Sequence, residues 1–105
     1  MASKVIWTFE ALKDLRNAAN YIAQDSKYYA AEFAAEVRRA STSLTKFADR
    51  GRVVPEVNDL TVRELFVGHY RLIYRTRKEL IEIIALIHGA RDMKHSDITG
   101  TETAL

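Results

Sequence analysis

The chain opens on "KVIWT" (4–8), a short β-branched and aromatic run that predicts a strand. "FEALKDLRNAANYIAQ" (9–24) then places apolar residues at helical spacing: Phe9, Leu12, Leu15 or Ala19, and Ile22. Thr8 stands at the N-cap position, where a hydroxyl accepts from an otherwise unpaired N–H of the first turn. "DSK" (25–27) interrupts the period. A second helix is predicted in "YYAAEFAAEVRRASTSLTKFAD" (28–49), with a stripe of Tyr29, Phe33, Val37, Ala40, Leu44 and Phe47. Its alanines suit close packing. Arg38, Arg39 and Lys46 lie toward its C-terminal half, where the helix dipole favours cations. So short a connection makes the two helices an antiparallel hairpin.

After residue 50 the period changes. "RGRVVPEVND" (50–59) holds the only proline and reads as a turn or extended connector. "TVREL" (61–65) is a short strand and "VGH" (67–69) a turn. "YRLIYRT" (70–76) and "LIEIIALIH" (80–88) are strands joined by the charged turn "RKE". The last is apolar in both phases, Ile81, Ile83, Ala85 and Ile87 in one, Leu80, Ile84 and Leu86 in the other, so it belongs inside the sheet. In "YRLIYRT", Tyr70, Leu72 and Tyr74 share one face and should lie under the helices. Arg71, Ile73 and Arg75 share the other. The expected fold is α+β: an N-terminal strand, an antiparallel helix hairpin, and a three-strand antiparallel meander in one curved sheet. Two helices cover one face, so the other is expected to stand partly open.

Composition narrows the class. The chain has 105 residues, 48% apolar and 29% charged, which fits one globular domain over 1–105 with its core in about 4–92 and a polar tail in 93–105. It has no cysteine, which excludes disulfides, thiol chemistry and cysteine-based zinc sites. Nothing resembles a signal sequence or a membrane span, and a cytoplasmic location with no membrane partner is expected. The net charge is +2 with a pI near 9.0. Residues 62–95 hold seven Lys and Arg against four Asp and Glu, so the sheet-forming half carries the excess.

An ordered set of short motifs now adds to this. It comprises Trp7, Ala11, Asp14 and Leu15; "YIA" (21–23) and "DS" (25–26); Tyr29, Ala30 and Phe33; "GR" with "VPE" (51–56); "REL" (63–65); "YRLIYR" (70–75); and "IHGAR" (87–91). Over about residues 5–92 the set resembles the ParE/RelE toxin superfamily of bacterial type II toxin–antitoxin modules. "GRVVPE", "REL" and "HGAR" resemble its ParE-like branch more than its nuclease branch. The resemblance implies a β-α-α-β-β-β fold, a toxin that causes growth arrest, and a hetero-oligomer with a small antitoxin whose acidic C-terminal segment wraps the toxin. RelE-like members cut mRNA on the ribosome; ParE-like members inhibit DNA gyrase and stabilise plasmids.

Two chemistries follow. In the ParE-like reading no residue is catalytic, no cofactor or metal is needed, and Arg63, Arg71, Arg75 and Arg91 are candidate partner contacts. Arginine suits carboxylates because its planar fork binds them through paired hydrogen bonds. In the RelE-like reading the chain is a metal-independent endoribonuclease, and nucleic acid is its substrate. That reaction needs a base, an acid and cations around the phosphorane. His88, Arg91, His95 and Arg63 are the candidates, since the late tyrosine of one RelE subgroup is missing: no tyrosine follows Tyr74. A third reading is an inactive homologue that retains only antitoxin binding. Local roles compete at each position. Gly51 would serve a positive φ, Pro55 a stiff bend, Gly89 a strand exit, and Arg63 with Glu64 an exposed ion pair. His88 would bond locally, and Trp7, Tyr28 and Tyr29 would pack in the core or at its rim.

Overall fold

The computed structural model describes residues 4–90. Strand β1 (Lys4–Trp7) leads into α1 (Phe9–Ala23) and α2 (Lys27–Ser43), followed by β2 (Arg52–Val53), β3 (Val62–Val67), β4 (Tyr70–Arg77) and β5 (Leu80–His88). One five-stranded sheet runs in the order β1-β5-β4-β3-β2. The meander β3–β4–β5 is antiparallel, as its short turns require, while β1 returns through the hairpin to pair parallel with β5. The expected α+β order is present. A two-residue strand inside the 50–59 connector is added at the far edge.

Side chains set both helix starts. Thr8 Oγ1 accepts from the Ala11 N–H at 3.0 Å, and Ser26 Oγ accepts from the Tyr29 N–H at 3.1 Å. The break read in "DSK" is therefore the cap of α2. The buried stripe of α1 differs in phase from the expected one, whereas that of α2 keeps Phe33, Val37, Ala40 and Leu44 and loses only its ends, Tyr29 and Phe47. In α1 the closest approach is made by Ala11 and Ala18, seven residues and about two turns apart, with Leu15 and Ile22 packed alongside. In α2 it is made by Ala30, Phe33, Val37 and Ser41, with Leu44 just beyond. Phe9, Tyr29 and Phe47 stand exposed instead. In α1 the most buried positions are small residues, while α2 buries bulky Phe33, Val37 and Leu44.

A β-bulge divides the sheet's two apolar faces. Tyr74 pairs with Ile83 and Ile73 with Ala85, which leaves Ile84 as an extra residue on β5. Simple alternation joined Ala85 and Ile87 to Ile81 and Ile83. The bulge instead puts Ile81, Ile83 and Leu86 under the helices with Leu72 and Tyr74, and turns Ile84, Ala85 and Ile87 to the opposite face with Ile73. That second face is expected to stand partly open. Its centre is covered, because the segment after β2 folds over it: Val54 is wholly buried there, beside Val57 and Val62. No helix among the described residues is long and apolar enough to cross a membrane.

Candidate partner-binding surface

The second face carries a chain of alternating charges. Glu64 points from β3 onto this face with its side chain fully buried. Arg52 of β2, directly opposite it, donates through Nε at 2.5 Å, and Arg71 of β4 brings Nη1 to 3.3 Å on the other side. Arg71 also holds both carboxylate oxygens of Glu56, at 2.8 and 3.2 Å, in a paired contact. Only 4% of Arg71 is exposed. A lone buried carboxylate or guanidinium costs several kcal/mol of lost hydration, so each of these charges depends on its partner. The contact from Arg71 to Glu56 fastens the 54–57 segment onto the sheet. Arg71 does lie on the face that alternation assigned to it, but as an internal tie and not as an open cation.

A second tie lies at the start of that segment, on the helix side. Tyr74 is completely buried. Its hydroxyl accepts from the Gly51 N–H at 2.9 Å and donates to the Ala48 carbonyl at 2.8 Å. Burial pushes this phenol above its ordinary pKa, and the Gly51 N–H opposes the shift. Gly51 is required by proximity and not by a positive φ. A Cβ there would lie 2.5 Å from the Glu64 carbonyl oxygen and 2.7 Å from the Tyr74 hydroxyl. Among the described glycines only Gly68, in the β3–β4 turn, takes a positive φ. Gly89 is likewise close-packed: a Cβ would meet the His69 carbonyl at 3.0 Å. Half-buried Arg63 donates to the Gly51 carbonyl at 2.9 Å, with Asp49 at 4.0 Å. Arg63 and Glu64 therefore point to opposite sides and do not pair with each other.

The other candidates are spread over the sheet. Arg75 is half-buried on the second face, opposite Val62 and Glu82, with no carboxylate within 4.0 Å among the described residues. His88 is exposed at the end of β5. Its Nδ1 accepts from the Ala90 N–H at 3.3 Å, the local role expected of it, and its ring lies edge-on to Tyr70 at 5.4 Å and beside His69 at 6.4 Å. Arg63 pairs with Tyr74 and His88 with Tyr70, which puts about 16 Å of sheet between their backbones. The structure thus brings Arg71 beside Glu56 and Glu64, and does not bring Arg63 beside His88. Arg91 and His95 lie outside the described residues. Trp7 packs half-buried against the core, whereas Tyr28 and Tyr29 are about two-thirds exposed at the hairpin tip. Among the described residues no three His, Asp or Glu side chains converge as a metal site.

Sequence reading missed Arg52, Glu56, Glu64 and Phe66. A signal for Glu64 existed: it shares a strand phase with Val62, an inward apolar position, and a charge there calls for opposite charges beside it. Phe66 lies in the same phase further along β3. It is 56% exposed, with the Arg52 guanidinium 5.3 Å from its ring centre. Because β2 pairs only with Arg63 and Glu64, residues 65–67 form a sheet edge beyond its end. A groove between α2 and this edge is lined by Glu36, Arg39, Ala40, Arg50, Phe66 and Val67. An unpaired strand edge beside such a groove, part apolar and part charged, accepts an extended segment by strand addition.

Comparison with known proteins gives consistent answers. The family model described as "ParE toxin of type II toxin-antitoxin system, parDE" matches residues 5–93. "Toxin RelE2" of Caulobacter vibrioides is 34% identical over 90 residues, covering 85% of this chain and 98% of that protein. The solved "Chromosomal ParDE TA system from P. aeruginosa" contains a chain that superposes with a TM-score of 0.68 at 19% identity, over 83% of this chain and 96% of that one. The last likeness bears on the fold. The match over nearly the whole chain and the relationship to a named toxin assign the protein: it belongs to the ParE toxin family of type II toxin–antitoxin systems.

Proposed function

We propose that this ParE-family chain acts in the cytoplasm as a toxin that inhibits DNA gyrase by protein contact, and that a cognate antitoxin silences it. The observation that carries this reading is the family match over residues 5–93. The separation of Arg63 from His88 across the sheet supports it, since a shared phosphate would need both within reach. The antitoxin docks by adding an extended segment to the edge at residues 65–67, with an apolar side chain against Phe66 and Val67. Arg75 remains a surface contact for its carboxylates. Arg91 keeps the same role as a proposal from the sequence. Arg63 and Arg71 act indirectly, by holding residues 51–57 in place.

The test has two arms. Purified toxin is added to gyrase with relaxed plasmid, and separately to a translating system with a reporter mRNA. Loss of supercoiling with intact mRNA supports the proposal. Unchanged supercoiling with cleaved ribosome-bound mRNA replaces it with the ribonuclease reading. No effect in either arm, together with retained antitoxin binding, leaves the inactive homologue.

A further inference from the structure

Among the described residues Arg75 on the sheet stands without a carboxylate within 4.0 Å, but a cluster of such cations lies at the C-terminal end of α2 and in the turn just beyond it. Among the described residues the sheet cations Arg52, Arg63, Arg71 and Arg77 each have a carboxylate within 4.0 Å, whereas Arg38, Arg39 and Lys46 have none. These three converge. A surface cleft of about 440 Å³ is lined by Arg38, Arg39, Thr42, Ser43, Thr45 and Lys46, and by no acidic residue. Arg50 flanks it, held by Ser43 Oγ at 2.6 Å.

Two bland explanations account for part of this. Cations near a helix C-terminus complement the dipole, and charged side chains keep a helix face wet. The last turns of α2, however, already satisfy several carbonyls through hydroxyls: Ser41 to Arg38 O at 3.0 Å, Ser43 to Ala40 O at 2.6 Å and Thr45 to Thr42 O at 2.8 Å. The basic side chains are left to face solvent.

We infer that this cleft binds the phosphate backbone of nucleic acid without reading its sequence. Lys and Arg interleaved with Ser and Thr hydroxyls is the donor set that phosphates take. Arg38 and Arg39 lie in the last turns of α2 and Lys46 in the turn that follows, so the three cations reach one cleft from the helix end and the turn beyond it. All six lining side chains end in a cation or a hydroxyl, and no carboxylate stands among them to repel a phosphate. The cleft adjoins the groove proposed for the antitoxin and shares Arg39 with it, and the inference does not depend on the gyrase reading. Such a cleft would let the chain hold DNA alongside a protein target.

The experiment measures binding of the purified chain to a labelled random-sequence duplex of about 30 base pairs over a range of salt concentrations. Three proteins are compared: the native chain, Arg38→Gln/Arg39→Gln/Lys46→Gln, and Lys13→Gln/Arg16→Gln/Lys27→Gln, which removes equal charge from other exposed positions. Thermal melting shows that each is folded. The cleft variant is expected to bind at least about tenfold more weakly at about 0.1 M salt, with a salt slope smaller by about 2 to 3. The other variant is expected to keep most of the affinity. Native-like binding by the cleft variant, or equal loss in both variants, overturns the inference. Polyglutamate of matching charge bound as tightly as DNA also overturns it, and identifies an acidic-protein surface instead.

Discussion

Replacing Tyr74 by Phe removes one oxygen and keeps the ring in its site. In the native chain that oxygen takes the Gly51 N–H at 2.9 Å and gives its own hydrogen to the Ala48 carbonyl at 2.8 Å. Each such bond is worth about 1 kcal/mol net, and more when the partner is left buried without water. Gly51 is buried and Ala48 half-buried, so the loss should total about 2–3 kcal/mol. For a domain of this size that lowers Tm by roughly 8–20 °C. Native-state amide exchange should quicken at Gly51 beyond the global loss, because the bond that protects it is gone. Gly51→Ala tests the same corner from the other side. Its Cβ would press on the Glu64 carbonyl at 2.5 Å, a backbone atom that cannot turn aside, and overpacking of this kind costs about 1–3 kcal/mol. In the Tyr74→Phe background the contact at 2.7 Å disappears but the backbone clash stays, so Gly51→Ala should remain destabilising. Thermal and urea unfolding of the four proteins measures all of this. A Tyr74→Phe variant whose Tm lies within about 2 °C of the native value would refute the reasoning.

Other expectations follow from the same residues. Arg71→Met leaves Glu64 and Glu56 short of a shared partner and should cost about 3–5 kcal/mol in urea unfolding. Adding Glu64→Met should restore part of that, and fully additive losses would mean the two groups are not coupled. At high pH, the folded state keeps Tyr74 protonated beyond its ordinary value of 10.0, so the unfolded state loses its proton first. Stability from this group is therefore whole below about pH 10 and falls as pH rises through the folded pKa. Tyr74→Phe should show a flatter alkaline limb, and parallel limbs would count against it. His69→Ala/His88→Ala should leave growth arrest intact when expressed without antitoxin, and its abolition in a folded variant would favour a histidine-dependent ribonuclease.

The order of elements could be read from the sequence because each has its own period and its own stop signals. Thr8 and the "RKE" turn are local features, and they stand where local chemistry puts them. The phase of α1 could not be read, since Ala11 is buried by what approaches it and not by its own hydrophobicity. Nor could the bulge at Ile84, because β5 is apolar in both phases and a slip of one residue leaves no mark in the pattern. The charges misled for a related reason. Arg71 and Glu56 lie fifteen residues apart and meet only when the connector folds back. Counting cations along 62–95 therefore included Arg63, Arg71 and Arg77, which the fold sets beside carboxylates, while Arg38, Arg39 and Lys46 passed as ordinary helix-end charge.

The central claim is that this ParE-family chain acts on gyrase. One measurement addresses it most directly: gyrase-catalysed supercoiling of relaxed plasmid with increasing toxin, repeated after adding the cognate antitoxin. The expected result is dose-dependent loss of supercoiling that the antitoxin reverses. Supercoiling that stays unchanged at toxin levels that arrest growth would contradict it.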